Sequence, residues 1–251
     1  MSSSAKKTVS VKLLLDVGNT STTWGLSHEN KIIQKGFVDT HPLTGLGNRI
    51  QSQVTQTIEQ VWIASVVRGA TPVLEKTFGV ERIHRILPNT IHGLKNKTLE
   101  PDKVGVDRLV NIKAALAALK PPFVILDSGT AITLCVVNRD GEYLGGSILP
   151  GLVLSRDVLS EKTSLLPSIE ICAPRAAIGR NTEEALLSGI VLATSHAIRG
   201  LYQSIKNEIE ETELPFIGTG GNIALLAPLI PELSLIDPNL TLKGIEQIAY
   251  E

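Results

Sequence analysis

An apolar stretch ending at Leu15 runs directly into Asp16-Val17-Gly18-Asn19-Thr20-Ser21-Thr22, and a second, Phe123 to Leu126, runs into Asp127-Ser128-Gly129-Thr130-Ala131-Ile132-Thr133. A short apolar run predicts a buried strand, and an Asp-x-Gly turn at its end predicts a hairpin into a second strand. A single offset of 111 residues separates Asp16 from Asp127, Gly18 from Gly129 and Thr22 from Thr133, so each half of the chain opens on the same unit. More strand-like sequence follows each copy, Lys31 to Val38 in the first and Thr133 to Val137 with Glu142 to Ile148 in the second. Two β-meanders are expected.

The sequence between and after them alternates helical and strand periods, as layered α/β lobes require. Leu46, Ile50, Val54 and Ile58 recur every four residues and predict one helical face. Val61 to Val67 reads as a buried strand, Val73, Leu74, Thr77 and Phe78 as a helix, and Arg82 to Ile86 as a strand. Leu87 to Lys103 is a long, polar, proline-bounded loop of the kind that is functional or mobile in compact domains. Val106 to Ala117 predicts a helix stopped by Pro121 and Pro122. Asn181 with Glu184 forms a capping-box pattern ahead of a long helix, whose apolar face runs through Leu187, Ile190, Val191, Thr194, Ile198, Leu201, Ile205 and Ile209. Gly189 and Gly200 on that helix suggest another backbone packed closely there, and Pro215 to Ile217 reads as a strand leading through Gly218-Thr219-Gly220-Gly221-Asn222 into a helix from Ile223. Without a low-complexity linker, the division expected is a tail at 1–10, an N-terminal lobe at 11–120 and a C-terminal lobe at 121–251 in direct contact.

Composition narrows the class. Hydrophobic residues at 43% and charged residues at 20% fit a globular chain with a real core and exclude wholesale disorder. A net charge of -1 gives no global reason to expect nucleic acid or an anionic membrane, and no segment approaches about 18 uninterrupted apolar residues. The two cysteines cannot supply a disulfide framework, so a reducing, cytoplasmic setting is expected. The five histidines show no His-x-x-x-His spacing and there is no Cys-x-x-Cys, so zinc is not expected; Cys135, Trp24 and Trp62 read as core residues.

The glycine turns carry the candidate chemistry. A carboxylate at a strand end, followed by glycine, suits a polyphosphate: glycine lets backbone N–H groups approach the oxygens, and aspartate holds Mg²⁺ directly or through water. Either turn alone is more simply an Asx-turn hairpin, but two copies at one offset favour binding. Gly218 to Gly221, between a strand and a helix, suits a nucleotide's phosphate, sugar or base, or serves only as a close connection. The chain has no dinucleotide fingerprint, Walker motif or protein-kinase catalytic loop. Gly105-Val106-Asp107-Arg108 opens a helix, where Asp107 reads either as a general base with an anion-stabilising arginine or as a structural helix-start carboxylate. Gly145-Gly146 with Pro150-Gly151 shapes either a ligand wall or a turn.

In these motifs the chain resembles the type III pantothenate kinases, which belong with the acetate and sugar kinases and the actin-like ATPases. Asp16 to Thr20 resembles the family's first phosphate motif, Gly105 to Arg108 its Gly-x-Asp-Arg motif, and Asp127 to Thr133 its second phosphate motif. Gly145-Gly146 with Pro150-Gly151, Asn181-Thr182 with Ser188-Gly189, Thr219-Gly220-Gly221 and the ending Leu240 to Gly244 follow in family order. The resemblance implies an α/β chain of two ribonuclease-H-like lobes facing a central cleft, a homodimer, and ATP-dependent phosphorylation of pantothenate to 4'-phosphopantothenate, the first step of coenzyme A biosynthesis. It implies nucleotide or phosphate contacts at Asp16, Gly18, Asn19, Thr20, Gly129, Thr130, Gly220 and Gly221, with Mg²⁺ at Asp16. Pantothenate would meet Gly105, Asp107, Arg108 and Thr182, with Asp107 as base, and Asp127 would help hold a monovalent cation, K⁺ or NH₄⁺. Where the family often has Gly-Pro-Gly, a tyrosine and Ser-Val-Val-Pro, this chain has Leu87-Pro88-Asn89, Thr98 and Ser65-Val66-Val67-Arg68. Those departures lie on the substrate side. They leave open a kinase of the same fold for another small alcohol, and a catalytically silent nucleotide-binding accessory protein.

Overall fold

The computed structural model describes residues 10–251, so residues 1–9 of the expected tail lie outside the described residues and Ser10 already opens a strand. The chain forms two compact units that are interleaved in sequence rather than split at one point. The first runs through Gly93 and adds Glu100–Ala117 and Leu240–Glu251; the second comprises Leu94–Leu99 and Ala118–Asn239.

In the first unit β1 (Ser10–Val17), β2 (Ser21–His28) and β3 (Lys31–Asp39) make an antiparallel meander, helix α1 (Leu46–Gln51) follows, and β4 (Thr57–Ser65) returns parallel to β1. Helix α2 (Ala70–Phe78) leads to β5 (Ile83–Ile86), which completes the order β3-β2-β1-β4-β5. Alternation along β1 sends Leu13, Leu15 and Val17 to one face, where they pack with Trp24, Leu26, Val61 and Ile63 against Leu46, Ile50, Leu74 and Phe78 of α1 and α2. The four-residue apolar period from Leu46 to Ile58 is therefore broken. The helix stops at Gln51, and Ile58 belongs to β4, whose edge-to-edge bonds with β1 outweigh a short helical pattern.

In the second unit β6 (Lys95–Asn96), drawn from the long polar loop, pairs with β9 (Glu142–Pro150). Helix α3 (Val106–Ala118) belongs with the first unit up to Ala117, after which β7 (Phe123–Ser128) and β8 (Ala131–Val137) build the second meander with β9. Helices α4 (Leu152–Lys162), α5 (Thr182–Leu187) and α6 (Ala193–Glu208) precede β10 (Phe216–Thr219), α7 (Ile223–Leu226) and β11 (Leu235–Ile236), and α8 (Leu240–Ala249) closes the chain. The order β11-β10-β7-β8-β9-β6, read from β7, is the first sheet's order with one edge strand added. The echo thus extends to all five strands and their directions. It slips by one residue at the hairpins: Val17 pairs with Thr22 but Ser128 with Ile132, so the first turn is one residue longer and Thr133 corresponds to Thr23.

The long helix expected from Asn181 forms as α5, a single π turn at Ser188–Leu192 and α6. Asn181 caps it, accepting from the Glu184 N–H at 2.8 Å, while the Glu184 carboxylate accepts from Arg180 N–H at 2.8 Å rather than closing the box on residue 181. The 27-residue stretch Thr182–Glu208 is long and apolar enough to cross a membrane by length and composition. Its apolar residues Leu187, Ile190, Val191, Ile198 and Ile205 are buried in the second unit's own core with Val124, Leu126, Ile132, Leu134 and Phe216. Gly189 and Gly200 face open space, so no backbone packs on them and that expectation is corrected. Trp24 is core, donating from Nε1 to Gln53 Oε1 at 3.0 Å, whereas Trp62 is half-buried and stacks on His84 with centroids 4.5 Å apart.

Candidate active site

The first glycine turn sits where β1 gives way to β2. Asp16 lies on the face of β1 opposite Leu15 and Val17, half-buried, with Asn19 and Thr20 exposed at the tip. Gly18 N–H donates to Ser21 C=O at 3.1 Å and closes the turn. Behind it, the Thr40 hydroxyl donates to Gly18 C=O at 2.7 Å and the Thr40 N–H to Thr20 C=O at 3.0 Å. The turn therefore presents its exposed tip from a fixed base.

Asp107 and Arg108 lie in the first turn of α3, and one Asp107 oxygen accepts from the Arg108 N–H at 2.9 Å. A side chain at 105 would crowd that carboxylate and shift it. The helix is held from behind by α8, an element that pattern reading did not single out as a helix. Leu242 of α8 packs over Gly25, Thr241 Oγ1 donates to Asn111 Oδ1 at 2.8 Å, and Gly244 approaches the Val110 carbonyl so closely that no Cβ fits. Because Leu14 pairs with Gly25 and alternates with Asp16, the closing helix covers the sheet face that carries Asp16.

The second turn is assembled from three glycine segments. Asp127, the last residue but one of β7, lies beside Thr219 of the parallel strand β10. Gly220 follows with φ +93°, and a Cβ there would lie 2.5 Å from Asp127 Oδ1 and 2.6 Å from Ser128 N, so both its conformation and its space demand glycine. Asn222 N–H donates to Ser128 C=O at 3.0 Å, and Gly151 N–H to Thr130 C=O at 3.0 Å. Gly151 sits against the Gly129 and Thr130 carbonyls with no room for a side chain. The structure thus brings Asp127, Gly129, Thr130, Gly220 and Gly221 together with Gly151, whose part in shaping this turn the sequence left open. Gly145 and Gly146, in contrast, lie within β9. Ser128 is fully buried and its hydroxyl has no partner.

Thr182 is exposed at the first position of α5, and the neighbouring cavity of about 480 Å³ is lined by residues including Cys172, Arg175, Arg180, Asn181 and Glu183. The departing residues are also placed. Thr98 donates from Oγ1 to Asn96 Oδ1 at 2.8 Å, Pro88 starts a 3₁₀ turn, and Arg68 is exposed between β4 and α2. Glu142 is held below the usual carboxylate range by the Asn138 amide and then Lys97, Glu211 by Arg139, and burial pushes the Tyr202 phenol up. Among the described residues no group of three or more His, Cys, Asp or Glu is placed to hold a metal ion.

Residues 12–204 match the family model described as type III pantothenate kinase. Type III pantothenate kinases of Thermomicrobium roseum and Thermus thermophilus are each 34% identical to the chain, covering 95% of it and 96% and 98% of their own lengths. Among solved structures, a Baf family protein of Campylobacter jejuni covers 95% of the chain and 97% of its own at 20% identity with a TM-score of 0.61. An archaeal actin homolog covers 96% of the chain and 99% of its own at 13% identity with a TM-score of 0.57. Each unit's strand order and these likenesses give the chain the fold of the archaeal actin homolog.

Proposed function

The chain belongs to the type III pantothenate kinase family, and on that premise we propose that its glycine turns and Asp107 transfer the γ-phosphoryl group of ATP to the hydroxyl of pantothenate. End-to-end identity of 34% to curated pantothenate kinases carries the reading. The product is 4'-phosphopantothenate, and the place of the reaction is coenzyme A biosynthesis.

Phosphoryl transfer asks little covalent chemistry of a protein; rate comes from positioning and charge neutralisation. The reading assigns phosphate contacts to Gly18, Asn19, Thr20, Gly129 and Thr130, with Gly220 and Gly221 at the nucleotide. ATP arrives as its Mg²⁺ complex, for which Asp16 supplies a half-buried carboxylate at a strand end. An alcohol is a poor nucleophile at neutral pH. Asp107 would orient the hydroxyl and accept its proton, with one oxygen already oriented by the Arg108 N–H and Arg108 itself beside the developing charge. A K⁺ or NH₄⁺ ion is assigned to Asp127, against whose carboxylate Gly220 sets no side chain of its own. Such an ion would supply fixed positive charge.

Thr182 is assigned to pantothenate, and the assembly to a homodimer in the cytoplasm. The α5–α6 apolar face gives the dimer no support, because it is covered within its own unit. The dimer draws support from Leu165 and Ile178, 91% and 81% exposed, and from the exposed Leu154 and Val158 on α4. Sedimentation at micromolar concentration that gives a single-chain mass with full activity would remove it.

The deciding experiment incubates the protein with ATP, Mg²⁺ and K⁺, offers pantothenate and a panel of small alcohols, and identifies the phosphorylated product by mass spectrometry. Phosphopantothenate is expected. Turnover of another alcohol with none of pantothenate would assign the chain a different substrate, through the departures at Arg68, Pro88 and Thr98.

A further inference from the structure

Thr40 follows β3, an edge strand exposed over most of its length, yet it is fully buried, and every polar group it has is engaged. Its N–H donates to Thr20 C=O at 3.0 Å. Its hydroxyl lies 2.7 Å from Gly18 C=O and 2.9 Å from the buried Thr22 hydroxyl. Because a carbonyl can only accept, Thr40 must give its single proton to Gly18, which makes Thr22 the donor to Thr40. The two carbonyls that flank Asn19 are thus both drawn back onto one residue.

That arrangement has a directional consequence. In a trans peptide the C=O and N–H point in opposite directions. Turning the Gly18 carbonyl toward Thr40 turns the Asn19 N–H away from it, toward the exposed side of the turn, and keeps two negative carbonyl ends off that side. A concave set of N–H groups with its carbonyls turned back is what an anion requires.

Thr40 is itself fixed by Arg49. Nη2 of Arg49 donates to the carbonyls of Asp39 at 2.9 Å, Thr40 at 3.2 Å and Pro42 at 2.9 Å, and Nη1 to Thr44 at 3.1 Å. The planar guanidinium gathers four carbonyls around one rigid fork, which a lysine ammonium cannot reproduce. Its Nε is buried without a partner, so the side chain is held by what its two terminal nitrogens reach.

We propose that Thr40 is a positioning residue for nucleotide binding, aiming the Asn19 N–H of the first turn, and that Arg49 anchors it. The inference rests on the reading of Gly18 to Thr20 as a phosphate turn. Neither residue touches substrate; both act through the turn.

The test compares Thr40→Val, which keeps the shape and loses the hydroxyl, with Thr40→Ser, which keeps the hydroxyl and loses the methyl. Affinity for a non-hydrolysable ATP analogue with Mg²⁺ is read by calorimetry, alongside kcat and the KM of each substrate. Thr40→Val is expected to bind the analogue about tenfold more weakly and to raise the KM for ATP in step, as a lost buried hydrogen bond with an orphaned carbonyl predicts. The KM for pantothenate should stay within about twofold and Thr40→Ser should recover most of the loss, because the hydroxyl and not the bulk is at stake. Arg49→Lys should weaken analogue binding in the same selective way.

Analogue affinity unchanged in folded Thr40→Val would overturn the proposal. So would a Thr40→Ser protein as impaired as the valine variant, or equal rises in both KM values, which mark general loosening. If Thr40→Val does not fold, Arg49→Lys decides alone, and normal analogue binding in it rejects the idea. A wild-type protein that binds the analogue but phosphorylates no pantothenate would end the pantothenate reading while leaving this comparison intact. A wild-type protein that binds no analogue would end the phosphate-turn reading and this inference together.

Discussion

Asp107 accepts a backbone hydrogen bond from Arg108 at the start of α3, so its geometry alone is compatible with a helix-start role as well as with proton transfer. Asp107→Asn separates the two, because the amide oxygen can still accept that bond but cannot take a proton. Turnover is expected to fall by about 10² to 10⁴ with melting temperature and nucleotide affinity near wild type. Near-normal turnover in the folded variant would take Asp107 out of the mechanism. Ser128 poses the opposite case. Its hydroxyl is buried with no partner, although Asp127 and Gly129 on either side are assigned to the proposed cation and phosphate site. Removing an unsatisfied buried hydroxyl recovers its desolvation cost, so Ser128→Ala is expected to leave stability unchanged or raise it by about 1 kcal/mol, read as the denaturant midpoint. A clear drop would mean that the hydroxyl is in fact satisfied. The residue types at these positions were legible in the sequence. Their partners were not, since a hydrogen bond such as Thr40 to Gly18 joins positions 22 apart that no local pattern relates.

Among the elements, α8 ties the end of the chain to its beginning. Its Gly244 lies against the Val110 carbonyl, one turn along α3 from Asp107, and Thr241 bonds Asn111 on the same helix. Gly244→Ala would push α3 off its seat. Overpacking of this kind costs about 1 to 3 kcal/mol, so a lower melting temperature is expected, with kcat falling more than ATP affinity because the displaced helix carries the proposed base. A variant that melts lower with kcat intact would show that α8 supports stability only. The ending Leu240 to Gly244 was visible as a motif, and its apolar spacing fits a helix. What it leans on was not visible, because the contact joins positions 130 residues apart. The same limit explains why the run from Leu46 to Ile58 misled: its four-residue spacing is real, but Thr57–Ser65 gains a full ladder of bonds with β1 as a strand.

For the whole molecule, binding of ATP with Mg²⁺ to the folded state alone must stabilise it by mass action, about 2.7 kcal/mol at a hundredfold excess over the dissociation constant. A rise in melting temperature with ATP and Mg²⁺ is therefore expected, reduced when Mg²⁺ is chelated and lost in a variant with Gly220→Val. That substitution places a branched side chain at φ +93° and against the Asp127 carboxylate. An equal rise in that variant would move the nucleotide away from the second turn. The division into units belongs to this scale too. A cut near residue 120 was the natural reading of an echo at 111 residues, yet Leu240–Glu251 joins the first unit and Leu94–Leu99 the second.

By itself the sequence determined the two meanders, the paired Asp-x-Gly turns and the order of motifs that marks the family, because these depend on residues within a few positions of one another: apolar alternation, turn chemistry and helix caps. Tertiary structure decided which strands neighbour which, the one-residue difference between the two hairpins, the docking of α8 on α3, and the Thr22, Thr40 and Arg49 brace behind the first turn. Those are choices among distant surfaces. They are settled when whole faces are buried and each enclosed donor and acceptor must find a partner, a condition that no single stretch of chain can state in advance.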